Sequence, residues 1–272
     1  MDTESRSRDD QGNIRALTRG LQVLRTVNRH RSLSMMEIAR LCELPYPTTC
    51  RIVDTLIAEG MIERETTRKH YRPTAQVRLL SSGYGSDDQL AEIARPHIRE
   101  LTRTLSWPIS ICRRVGMSMM ICDSTHAIAP YTLNVYHPGY TMPILGSSSG
   151  KVFLAFSHEE ERLAILKHVR ELNPARAEHI LSMLTTELAA IRERGYGTYD
   201  RLRHTANPGK TSGISFPLMA HGNILGTLTL AFFCSTFTMA NAIKLLVPDM
   251  RRRVAMIERD LLSQLPEAFS RP

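Results

Sequence analysis

The clearest chemistry in the sequence lies in six consecutive residues, Gly146-Ser147-Ser148-Ser149-Gly150-Lys151. They lead into the apolar run 152–156, which reads as a helix. Small side chains let a ligand approach the backbone, and the first N–H groups of a helix have no partners of their own. Ser147, Ser148, Ser149 and Gly150 would therefore hold an anion such as a carboxylate. Met142 and Leu145, just upstream, would supply an apolar wall, and an aromatic carboxylate needs both kinds of surface. A nucleotide phosphate is the rival occupant, because GSSSGK looks like a shortened phosphate loop. That motif needs four residues between its glycines and a hydroxyl after the lysine. Here three residues separate Gly146 from Gly150, and Val152 follows Lys151.

A second set of residues suits phosphates and base edges. Tyr46, Thr48, Thr49 and Arg51 open one amphipathic segment, and Arg68 and Lys69 sit in a polar turn shortly after it. Hydroxyls and guanidinium groups at the start of a helix can reach a DNA groove. Hydrolytic and metal chemistry fare worse. The sequence has no G-x-S-x-G elbow, and His126, His137, His204 and His221 are dispersed, without an H-x-x-x-H or H-E-x-x-H pair. These histidines are expected on the surface or in loops, and no catalytic residue, metal or cofactor is expected.

Three helices must position the DNA-facing groups. Leu17, Leu21, Leu24 and Val27 predict an amphipathic first helix. Ser34 and Glu37 form an S-x-x-E capping box at the start of a short second helix, which ends before Pro45. In the third, Pro47 suits the first position, Ile52, Val53, Leu56 and Ile57 face inward, and Gly60 ends the helix. Residues 61–64 and 70–72 then read as two short strands around a turn, forming a wing. Two short helices joined by a tight turn and braced by a third have the spacing of a helix-turn-helix.

Residues 77–105 read as helical on both sides of a turn at Gly83-Tyr84-Gly85. Alternating segments follow: Ile109 and Ile111, a turn at Gly116, then Met117, Met119 and Ile121. A second hairpin is predicted over 214–233 around His221-Gly222-Asn223. Segments 159–170 and 179–194 between the hairpins have helical period, the latter ended by Gly195. This mixture implies an α+β fold with an antiparallel sheet rather than a doubly wound one.

At 272 residues two domains are expected. Positive charge is concentrated near the N-terminus: residues 14–78 hold twelve Lys+Arg against six Asp+Glu, whereas 79–272 hold 21 against 17. That asymmetry favours an anionic partner for the first domain. Cys42, Cys50, Cys112, Cys122 and Cys234 are odd in number, scattered and without CxxC spacing, which fits a reducing cytoplasm. No apolar stretch approaches a bilayer span, so no membrane partner is expected.

With these elements in place, the sequence resembles the IclR family of bacterial regulators from about residue 15 to 262. The matching words are TRGLQVLRTV, MMEIARLCELPYPTTCRIVDTLIAEGMIER and YRPT, then TMPILGSSSGKVFLAF, IRERGYGTYD and GISFPLMAHGNILGTLTLA. Within the family, WPISI, DSTH and YHPGYTMPILGSSSG look most like activators of phenylpropionate-type aromatic acid catabolism. The resemblance implies a winged helix-turn-helix domain (14–76), a linker helix (77–90), and a GAF-like α/β effector-binding and oligomerisation domain (91–265). It also implies a homodimer or tetramer on double-stranded operator DNA, controlled by a small carboxylate, with RNA polymerase as a further partner of an activator.

In such relatives acidic effectors lie at the segment matching Ser147–Gly150. Further pocket positions map onto Asp200, Gly213, Thr229 and Ala231. The sequence departs from the pattern at Ser148 and Ser149, where relatives often carry glycine or alanine. An alternative to the sensor is a DNA-binding protein whose second domain only oligomerises.

Overall fold

The computed structural model describes residues 14–81, 89–132, 136–172, 174–200 and 210–265. The chain divides into two compact units, 1–85 and 86–272.

In the first unit, helix α1 (Arg15–His30) buries Val23, Leu24 and Val27. The inward face is turned from the expected one: Leu17 and Leu21 are 59% and 42% exposed. Only the second half of α1 packs into the core, and there the 3.6-residue period brings Val23 rather than Leu21 under it. Strand β1 (Leu33–Ser34) leads into α2 (Met35–Leu41), whose capping box forms as expected. The Glu37 carboxylate accepts the Ser34 N–H at 2.8 Å, and these bonds hold the Glu37 carboxyl below the usual range. Helix α3 (Tyr46–Ala58) starts at Tyr46, so Pro47 takes the second position rather than the first. Gly60 closes it with φ +69°, a conformation that favours glycine.

Strands β2 (Ile62–Arg64) and β3 (His70–Pro73) form the hairpin, with β1 added in the order β1-β3-β2. Ile38, Val53 and Ile62 from three elements meet with the α1 residues in one core.

The linker helix expected over 77–90 falls in large part outside the described residues. Residues Ala75–Ser81 form a 3-10 helix whose Val77 packs on this core. Residues 82–88, with the predicted Gly83-Tyr84-Gly85 turn, lie outside the described residues, as does His204. Gln89 already begins α4 (Gln89–Leu105) of the second unit, with Leu90 buried in that unit's core.

The second unit is an antiparallel six-stranded sheet in the order β6-β5-β4-β9-β8-β7. Its strands are β4 (Ile109–Val115), β5 (Ser118–Ser124), β6 (Thr141–Pro143), β7 (Gly197–Tyr199), β8 (Thr211–Ala220) and β9 (Asn223–Phe233). Both predicted hairpins are present, the second turning on His221 and Gly222, both with positive φ. One face is covered by α4 and by α8 (Met239–Gln264), a 26-residue helix that the sequence reading did not single out. The other lies beneath α5 (Ser148–Phe156), α6 (Glu159–Leu172) and α7 (Pro174–Arg194).

Alternation along the strands sorts side chains between these faces. Ile109, Ile111, Ile214, Phe216, Leu228 and Leu230 enter the core under α4 and α8. The intervening Ser110, Cys112, Ser215, Thr227 and Thr229 point toward α5, although helices cover that face too.

Candidate functional sites

The exposed start of α3 presents Tyr46, 53% accessible, and Arg51, with Thr48 half-buried between them. Thr49 does not join them. It is fully buried, and its hydroxyl donates to the Pro45 carbonyl at 3.1 Å, so it braces the helix start from within. The Cys50 thiol, one turn on, raises the Tyr46 phenol above its ordinary range and keeps it a neutral donor.

The hairpin tip carries Arg68 and Lys69, both exposed. Acidic neighbours are drawn away from them: Glu63 accepts Arg72 at 2.6 Å, and Glu65 accepts the Ser32 hydroxyl at 2.6 Å. Arg51, Arg68 and Lys69 have no ion-pair partner among the described residues, which leaves their charge available to an external anion.

The second site is a cavity of about 360 Å³ between the hydroxyl-bearing sheet face and the start of α5. Its shape begins with Gly150. A Cβ there would lie 1.8 Å from the Ile144 carbonyl oxygen, so only glycine lets α5 sit against the 3-10 turn Ile144–Gly146. Ser147 caps the helix by accepting the Gly150 N–H at 3.1 Å. Helix geometry leaves the N–H groups of Ser148 and Ser149 without an intrahelical acceptor. Lys151 is held by Glu187 at 2.8 Å, so an anion here would rest on backbone N–H groups, hydroxyls and the helix dipole rather than on a free cation.

The floor is a row of hydroxyls. Strand register sets Ser124 opposite Ser110, Ser110 opposite Thr229, and Thr229 opposite Ser215. Ser215 bonds Thr229 at 2.8 Å and Ser148 at 2.7 Å, which ties the floor to α5. Burial, with a smaller contribution from Cys122, pushes the Cys112 thiol up to about 12, so it stays neutral in the wall. Tyr136 and Tyr140, with ring centroids 4.7 Å apart, close the side next to His126.

Of the expected site residues, Met142, Ser147, Ser148, Ser149, Gly213, Thr229 and Ala231 all line this cavity. Three do not. Leu145 packs into the core beside it, Gly150 lies behind the serines against Ile144, and Asp200 accepts the Ser212 hydroxyl at 2.7 Å, acting through a lining residue. Sequence reading missed His126, Tyr136, Tyr140, Tyr199 and, apart from Thr229, the hydroxyl floor. His126, expected in a loop or on the surface, is only 4% exposed and forms part of the wall. Hydroxyls alternating with aliphatics were the available signal; they read as a solvent face until α5 is seen to cover them.

No described helix is long and apolar enough to cross a membrane. Among the described residues no cluster of His, Cys, Asp and Glu would hold a metal ion.

A helix-turn-helix with a basic hairpin, in one chain with an α/β unit built around a polar cavity, defines the class of two-domain transcription regulators. The comparisons name the family. The IclR helix-turn-helix domain matches residues 16–66, and the bacterial transcriptional regulator IclR C-terminal domain matches 83–257. The chain belongs to the IclR family and is a DNA-binding transcription regulator.

It is similar to the transcriptional repressor IclR of Escherichia coli (strain K12), 26% identical over 195 residues, or 70% of each protein. The crystal structure of an IclR family transcriptional regulator from Brucella abortus superposes with a TM-score of 0.62 at 25% identity, covering 94% of this chain and 95% of that one. An IclR homolog from Microbacterium hydrocarbonoxydans, complexed with 4-hydroxybenzoate, superposes with a TM-score of 0.64 at 21% identity, covering 90% and 98%.

Proposed function

We propose that this regulator responds to a small aromatic carboxylate bound in the cavity of its second unit. The observation that carries the reading is the cavity itself: a helix-covered sheet face that presents hydroxyls and helix N–H groups beside aromatic walls. The floor hydroxyls are held by one another and by Ser148, and a buried face that sets such groups beside open volume suits a ligand with both polar and apolar parts. The acid end lies at Ser147, Ser148 and Ser149, and Met142, Tyr136 and Tyr140 face the ring. A relative of the same fold taken with 4-hydroxybenzoate is consistent with an aromatic acid in this place.

On the DNA side, Tyr46, Thr48 and Arg51 read the major groove while Arg68 and Lys69 contact phosphates. A dimer would set two such helices into successive grooves of an imperfect palindrome. Ligand and DNA then share one linkage: whatever factor the acid exerts on operator affinity, DNA exerts on acid affinity.

Two measurements test this. Thermal-shift assays of the full chain against aromatic and short-chain acids should show stabilisation by aromatic acids. A flat response to every acid would favour a second unit that only oligomerises. On DNA fragments recovered by genome-wide footprinting, Arg51→Ala should weaken binding selectively at some base positions. Removing Arg68 and Lys69 should weaken it on all sequences and lower the salt dependence. Unchanged affinity in both variants would refute the docking.

A further inference from the structure

The established family explains a cavity but not its histidine. His126 is nearly buried, lines the wall, and meets the edge of Tyr136 with ring centroids 5.1 Å apart. Its Nδ1 is 2.6 Å from the Ser124 hydroxyl, and that same oxygen accepts the His126 backbone N–H at 3.2 Å. Having accepted one N–H, Ser124 satisfies both groups by giving its own hydrogen to Nδ1, which leaves the ring proton on Nε2. Among the described residues nothing bonds Nε2. The ring, which lines the cavity, therefore carries a single N–H donor that the described residues do not use.

Its position follows from strand register. Ser124, which holds the ring, and Ser215, which bonds Ser148 at the start of α5, stand at opposite ends of the hydroxyl row. Three interstrand steps of about 4.8 Å separate them by roughly 14 Å. His126, bonded to Ser124, and Ser148, bonded to Ser215, reach inward from these ends, so a ligand that bridges them spans less than the full row. A benzene ring with one polar substituent at each end fits within such a span.

We propose that His126 is the specificity residue of the cavity, donating from Nε2 to an uncharged oxygen at the end of the ligand remote from its carboxylate. This rests on the acid-sensing reading above and sharpens it: the ligand is a monoanion with two polar ends, not a simple aryl acid or a dicarboxylate. Burial supports the choice of an uncharged oxygen. Together with the nearby His137 it pushes the His126 imidazole down to about 4, so at neutral pH the ring carries no charge to match a second carboxylate. Discrimination comes from the same source, because an acid lacking the remote oxygen strands a buried donor.

The test is calorimetry of the full chain with benzoate, 4-hydroxybenzoate and terephthalate, which differ only at the para position. Wild type should bind 4-hydroxybenzoate about tenfold or more tighter than either other acid. His126→Phe keeps the ring packing without the donor, and His126→Asn keeps a polar atom at the Nδ1 position only. Both should bring the 4-hydroxybenzoate to benzoate ratio to within about threefold, while His126→Gln, whose amide reaches the Nε2 position, retains most of the preference. A preference unchanged in the Phe and Asn variants overturns the proposal, as does wild-type terephthalate binding equal to that of 4-hydroxybenzoate. Equal binding of benzoate and 4-hydroxybenzoate by wild type removes His126 from the role and leaves acid sensing intact. No binding of any of the three removes both.

Discussion

The two faces of the six-stranded sheet are made by the same strands and are both covered by helices, yet they differ in kind. Toward α4 and α8, the central strands β4, β8 and β9 present Ile109, Ile111, Ile214, Phe216, Leu218, Leu228, Leu230 and Phe232, and Trp107 joins Phe232 and Phe237 in an edge-to-face cluster. Toward α5, Ser110, Cys112, Gly213, Ser215, Thr229 and Ala231 are small, and beside the start of the helix they leave space. One face is filled throughout like a protein interior; the other has a core beneath α5, α6 and α7 but keeps hydroxyls beside a cavity at the start of α5. A sheet therefore need not lose its stability to carry a site, provided the opposite face and the rest of its own face are packed.

That contrast can be broken most severely on the filled face. Phe232→Ala removes a side chain that is 1% exposed and should cost about 3–5 kcal/mol in urea unfolding. A cost below about 1 kcal/mol would mean that this face is not the stabilising one. Next comes the one tight point of the cavity side: Gly150→Ala would drive a methyl group into the Ile144 carbonyl and should cost about 3 kcal/mol. Tolerance of alanine there would show that α5 can shift without harm.

A smaller effect, on the order of 2 kcal/mol by about pH 5, belongs to pH. His126 takes a proton near 4 when folded, against 6.5 in the unfolded chain. Above 6.5 both states are neutral and the full stability is present. As the pH falls from 6.5 to about 4 the unfolded chain binds a proton that the folded one refuses, and stability declines. Denaturation midpoints of His126→Gln should lack this part of the acid limb; curves that run parallel to wild type would show that the ring is not desolvated. Least of all, Ala231→Val adds bulk where there is room. It should change unfolding free energy by less than about 0.5 kcal/mol while weakening acid binding.

Legibility differed between the units for a physical reason. The capping box at Ser34 and Glu37, the turn at Gly60 and the hairpin over 62–73 are written within a few residues of chain, and each forms as expected. Errors arose where burial is settled by a distant neighbour. Thr49 lies in the same polar stretch as Thr48 and Arg51, but one position's rotation puts it inside. Leu17 and Leu21 continue the apolar stripe of α1 past the core beneath it, and β1, only two residues long, forms because β3 is there to pair with it. In the second unit the GSSSGK segment was readable as an anion-binding helix start, and Ser147 does cap one.

The sequence by itself determined the local grammar: helix starts and stops, hairpin turns, the alternation of strands, the basic first third, and a run of small residues entering an apolar helix. These follow from hydrogen bonds and periodicities that span a few residues. Tertiary structure alone decided that the polar alternates of β4, β8 and β9 face a helix instead of water. It also brought His126 and Ser148 to opposite ends of one row and turned Asp200 onto Ser212 rather than into the cavity. Such groupings join residues up to about a hundred positions apart, and their energy comes from packing and desolvation, which no short stretch of sequence records.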